Sequence, residues 1–76
     1  MTTFFSAHDD FSIYAVAETA EAAIAAAIKY SGAPDTMFAT AKIGAELAAQ
    51  IDRDGWDGNR QSFRIVDGYI VDTTNE

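Results

Sequence analysis

Two apolar runs flank an Asp-Gly pair late in the chain: Phe63-Arg64-Ile65-Val66, then Asp67-Gly68, then Tyr69-Ile70-Val71-Asp72. A two-residue connection of this kind favours a type I′ turn, in which both central residues take positive φ. The segment is therefore committed to an antiparallel hairpin with Val66 opposite Tyr69 and Ile65 opposite Ile70. Strand side chains alternate between faces, so Phe63, Ile65 and Ile70 fall together on the expected core face. An isolated hairpin is marginal in water. The rest of the 76 residues must supply elements that cover it.

Upstream, Phe11 to Ala17 reads as a short strand centred on Ile13 and Tyr14. Thr3 to Ala7 forms a possible preceding edge strand, with Asp9-Asp10 in the turn. Thr19 is placed to cap a helix, and Glu21 suits the dipole of its first turn. Ala20, Ala23, Ile24, Ala27 and Ile28 recur on one helical face. Lys29, Gly32 and Pro34 mark the end of that helix. Thr36 to Ile43 alternates as a strand does, although a long helix capped by Asp35 is the competing reading. Thr36, Phe38 and Thr40 favour the strand, as does Gly44, which is costly inside a helix. Gly44 to Asp54 reads as a second helix with Leu47, Ala48 and Ile51 on one face, ended by Gly55. Gly55 to Gln61 is a loop by composition, and Thr73 to Glu76 a frayed tail.

The expected fold is a single α+β domain in order β-α-β-α-β-β, with one more strand if Thr3 to Ala7 pairs. It is a two-layer sandwich: a sheet of four or five strands with two helices on one face. A chain this short hides only roughly 60–65% of its unfolded surface. Apolar residues make up 49% of it, but many are alanine, which fills little volume. The core is expected to rest on Phe4, Phe5, Phe11, Ile13, Tyr14, Ile24, Ile28, Phe38, Ile43, Leu47, Ile51, Phe63, Ile65, Ile70 and Val71.

Twelve Asp and Glu oppose five Lys and Arg, a formal net charge of −7. Phosphate recognition needs clustered basic side chains, and here they are scattered, so direct nucleic-acid binding is disfavoured, as is an anionic membrane. A partner with a basic surface is favoured, with charge chiefly speeding the encounter. The plainer reading is that acidic charge keeps a small protein soluble. No cysteine is present, which removes disulfides and thiolate chemistry. No signal segment is visible in Met1-Thr2-Thr3-Phe4-Phe5, and no apolar run is long enough to span a membrane. A cytoplasmic location is expected.

Chemistry-bearing patterns are sparse. His8 stands beside Asp9 and Asp10, but an isolated histidine next to two acids is expected to be solvated, and no metal-ligand spacing accompanies it. Asp52, Asp54 and Asp57 crowd the end of the second helix. Read as a calcium loop from Asp52, the sixth position is Asp57 where Gly is required, and the twelfth is Phe63 where Glu is required. The serines have no G-x-S-x-G context, and the glycines form no phosphate loop. No enzyme, cofactor or metal is expected. Trp56, between Asp54 and Asp57, is either an interface anchor or a residue that folds back to close the gap between the second helix and the hairpin. Tyr14, Phe38, Tyr69 and Arg64 pose the same choice between core and an exposed aromatic face.

The stretch from Ile13 to Val71, with its alanine-rich helix after Thr19, its second strand-helix unit ending in Gly55 and its terminal Phe-Arg-Ile-Val-Asp-Gly-Tyr-Ile-Val, resembles small proteins of phages and other bacterial mobile elements. Size and acidity are similar to those of anti-CRISPR proteins. That resemblance implies a non-catalytic inhibitor that covers a basic nucleic-acid-binding surface of a bacterial CRISPR effector complex in the host cytoplasm, and it assigns no residue. The expected partner-binding residues come from the acids and aromatics themselves: Asp52, Asp54, Trp56, Asp57, Asp67, Tyr69 and Asp72. The alternatives are a homodimeric structural module that buries an aromatic sheet face, and a small metal protein or enzyme.

Overall fold

The computed structural model describes residues 2–34, 37–56 and 58–73. It has an α+β fold in order β-β-α-β-α-β-β: β1 (Phe5–His8), β2 (Ile13–Ala17), α1 (Ala20–Ser31), β3 (Ala39–Ile43), α2 (Ala45–Asp54), β4 (Phe63–Val66) and β5 (Tyr69–Asp72). The five strands form one sheet in spatial order β2-β1-β3-β5-β4. The fifth strand is therefore present. It is not at an edge, because β1 pairs antiparallel with β2 on one side and with β3 on the other. The small side chains of Ser6 and Ala7, both fully buried, suit a strand enclosed on all sides.

Local chemistry sets most of the element ends. The Thr19 hydroxyl accepts the Ala22 N–H at 3.1 Å, satisfying one of the orphan donors of the first turn. Gly32 closes α1 by donating to the Ile28 carbonyl. In the hairpin, Asp67 and Gly68 have φ of 53° and 82°, the type I′ geometry, and Val66 faces Tyr69 while Ile65 faces Ile70. Residues 39–43 are strand, and the competing cap at Asp35 lies outside the described residues. Thr73, expected to fray, donates its N–H to the Ser62 carbonyl at 3.0 Å.

The two helices, expected on one face, use alternate side chains of the strands. Cross-strand partners share a face, so Ala7 and Ala15 lie together, and they pack with Ala23 and Ala27 of α1. Ser6, Val16 and Ala41 lie on the opposite face. There Ile13, Ile43 and Ile70 pack with Leu47, Ala48 and Ile51 of α2. Alternation with period two separates the helices. The α1 contact is built from alanines and buries little area per residue. The isoleucine and leucine cluster under α2 carries more of the hydrophobic stabilisation, at about 1.5–3 kcal/mol per large side chain.

The sheet curls around this second cluster. Arg60, three residues before β4 at one edge, pairs with Ile13 in β2 at the other edge. The His8 and Phe63 rings also meet edge to face at 5.8 Å between centroids. Two expected core residues are exposed: Phe11 at 78% and Ile65 at 51%. Phe11 follows the β1–β2 turn, and Ile65 lies on edge strand β4.

Candidate functional site

Among the described residues, the acids singled out in the sequence are spread between the end of α2 and the two ends of the hairpin. Asp52 and Asp54 are exposed at the C-terminal end of α2, where a carboxylate is unfavourable against the helix dipole. Asp54 is offset by Arg53 at 3.1 Å, and the Asp52 carboxylate accepts the Thr2 N–H at 3.3 Å. Asp67 is at the hairpin turn. Asp72 is at the opposite end of the hairpin, opposite Phe63, about 10 Å along the strands. Asp72 accepts a hydrogen bond from the Arg60 guanidinium at 2.7 Å in a largely buried ion pair. Asp57 lies outside the described residues. Trp56 is half-buried and packs against the α2 cluster, as the fold-back reading has it.

The hairpin turn is the place where exposed apolar and acidic groups meet. Val66 and Tyr69, directly opposite each other, are 44% and 47% exposed, and Ile65 on the other face is also open. Lys42 of β3 stands next to Tyr69 in the ladder. Tyr14 and Phe38 do not join this patch. Their rings meet edge to face at 5.3 Å and flank the α1 cluster.

His8 is the residue whose setting the sequence reading missed. Expected in solvent, it is only 4% exposed, because β1 runs one residue further than expected and turns His8 to the same face as Ser6. The Ser6 hydroxyl donates to the Ala41 carbonyl at 3.4 Å. It shares a much shorter hydrogen bond, of 2.7 Å, with His8 Nδ1. Burial lowers the His8 pKa below its ordinary value, against the upward pull of the Asp9 and Asp10 carboxylates. The signal available was the continuing alternation Phe5-Ser6-Ala7-His8 ahead of a turn-forming aspartate.

Asp9 supplies that turn. It accepts the backbone N–H groups of Phe11 at 2.8 Å and Ser12 at 2.9 Å, and the Tyr14 hydroxyl at 2.8 Å. These bonds, the one from Phe11 foremost, hold its carboxyl below the usual range. The same contact with Asp9 raises the Tyr14 phenol. His8, Asp9 and Asp10 border an open cavity of about 650 Å³, walled by Met37, Phe38, Phe63 and Ile65. Among the described residues no group of three or more His, Asp or Glu is placed to hold a metal ion, and no helix is long and apolar enough to cross a membrane.

Comparison of the chain with protein-family models, with curated proteins and with solved structures finds no match.

Proposed function

We propose that this chain is a non-enzymatic protein-binding protein that docks on a basic surface, most concretely a phage-encoded inhibitor of anti-CRISPR type that covers a nucleic-acid-binding surface of a bacterial defence complex. The observation that carries the reading is the hairpin end. Val66 and Tyr69 expose apolar surface on either side of Asp67, in a chain of net charge −7. Apolar side chains supply contact area at an interface, while unlike charge steers the encounter and sets orientation. Asp67 is the exposed acid assigned to contact, and Asp52 and Asp54, exposed at the end of α2, add to the charge that steers the encounter. Asp72 has an internal role through Arg60, and Trp56 anchors the loop against the core. The test is the triple variant Asp52→Asn/Asp54→Asn/Asp67→Asn. Association slows and loses salt dependence if these acids meet a basic surface. Unchanged binding with unchanged salt dependence rejects the assignment.

The second reading is a homodimer that buries Val66 and Tyr69 against their copies. Two copies each of charge −7 repel at low salt. Light scattering across concentration separates the readings, because a concentration-independent monomer removes this one.

A further inference from the structure

The curled sheet is tied edge to edge where Ile13 and Arg60 pair. Beyond that tie, β4 has β5 on one side and, among the described residues, no strand on the other. The hairpin register fixes which backbone groups face the open side. Thr73 donates to the Ser62 carbonyl, and the same alternation makes Arg64 with Val71, and Val66 with Tyr69, the hydrogen-bonded pairs. Phe63 and Ile65 therefore turn their backbone groups outward. The Phe63 N–H is taken by the Gln61 carbonyl at 3.2 Å. The Phe63 carbonyl and both backbone groups of Ile65 remain on the open edge. Edge strands are usually blunted by lysine, proline or a bulge. β4 reads Phe-Arg-Ile-Val, its register with β5 is unbroken, and Arg64, Ile65 and Val66 are all exposed. Its side chains also stop short of a neighbour. Ile65 shares a face with Ile70, yet Ile70 is fully buried and Ile65 is 51% exposed.

We propose that β4 accepts one further strand: an extended segment of a protein partner, laid along this edge. The backbone groups on one side of such a segment repeat roughly every 6.6 Å, and they pair with Ile65 and with the Phe63 carbonyl. One of its side chains covers Ile65, and the flanking ones lie beside Arg64 and Val66 on the other face. Strand addition draws affinity from main-chain bonds and specificity from alternate side chains. The segment is basic overall. The chain carries a net charge of −7, Asp67 follows directly on β4, and Asp10 borders the same cleft as Phe63 and Ile65, against the one cation of the strand, Arg64. A second copy brings the same net charge to the edge. Paired about Ile65, it also meets only a four-residue strand before the turn at Asp67 intervenes. This mode of contact rests on the reading that the chain docks on a basic protein.

The experiment selects binders from a library of random dodecapeptides displayed on yeast, against the immobilised protein at low salt. Enriched peptides are expected to be basic, free of proline at their centre, and alternating apolar with polar. In a synthetic copy, N-methylation at every second residue weakens binding about tenfold, and at the residues between them changes it less than about twofold. Bound peptide slows hydrogen exchange of the Ile65 amide, while the Arg64 and Val66 amides are already protected by β5. Ile65→Pro removes an outward N–H without breaking a bond to β5 and abolishes binding. Ile65→Thr keeps that N–H and loses less. The N-methyl scan uses the unaltered protein, so it stands even if the proline variant fails to fold. No enriched peptide, a scan without a two-residue period, or unchanged exchange at Ile65 overturns strand addition. A dimer of the protein alone that Ile65→Pro dissociates overturns the choice of occupant in favour of a second copy. Peptides with the two-residue period but no basic bias and no salt dependence support the edge site and reject the basic-surface reading. Basic, salt-sensitive peptides without that period reject the edge alone.

Discussion

Ile13 and Arg60 exchange two backbone hydrogen bonds, of 2.8 and 3.1 Å, and so tie the first edge of the sheet to the segment that leads into the last strand. The Arg60 side chain reinforces the tie from the other side through Asp72 at 2.7 Å. Only 13% and 20% of these two side chains is exposed, so removing one partner leaves a desolvated charge. Asp72→Asn is expected to cost about 2–3 kcal/mol, near the lower end for a buried pair. Chemical denaturation measures it, and Arg53→Gln, at the open ion pair with Asp54, is the control expected to cost under about 1 kcal/mol.

The buried His8 makes stability depend on pH. Its folded pKa lies below its unfolded value, so the unfolded chain takes up the proton first. Stability is full above the unfolded value of about 6.5 and declines as pH falls from there toward the folded pKa. The melting temperature is expected to drop between about pH 7.5 and pH 5.5. In His8→Asn, which keeps a hydrogen-bonding group beside Ser6 but does not titrate, that drop flattens. An equal slope in both proteins contradicts the account.

Gly44 is required for space. Its φ of −63° is open to any residue, but a Cβ there comes within 2.8 Å of the Ile70 carbonyl oxygen, to which Gly44 also donates at 2.8 Å. Gly44→Ala pushes β3 and β5 apart at their parallel pairing and is expected to cost about 1–3 kcal/mol, despite the better helix propensity of alanine. A stabilised variant in thermal unfolding contradicts this.

Thr19→Ala removes the hydroxyl that accepts from Ala22. The expected loss is about 1 kcal/mol, and Thr19→Ser restores most of it.

Features governed by neighbouring residues were legible in the sequence. The hairpin register followed from Asp67-Gly68, and the limits of α1 from Thr19 and Gly32, because turns and caps are short-range. The interior place of β1, the pairing of Arg60 with Ile13 and the burial of His8 depend on contacts across tens of residues, which no local pattern encodes. Ile65 shows the same limit. Its alternation put it with Ile70, as the register confirms, but α2 covers Ile70 and leaves the edge strand open. Of the docking residues, Tyr69 and Asp67 are exposed as expected, whereas Asp72 is engaged by Arg60, a pairing that no local pattern indicated.

The most direct test of the docking account is capture from a lysate of a CRISPR-bearing bacterium on the immobilised protein, at low and at high salt, read by mass spectrometry. The account predicts one nucleic-acid-binding complex, held at low salt, released at high salt and displaced by its own nucleic acid, with weaker capture by Asp52→Asn/Asp54→Asn/Asp67→Asn. Capture that is indifferent to salt, to nucleic acid and to the three substitutions, or none at either salt, contradicts it.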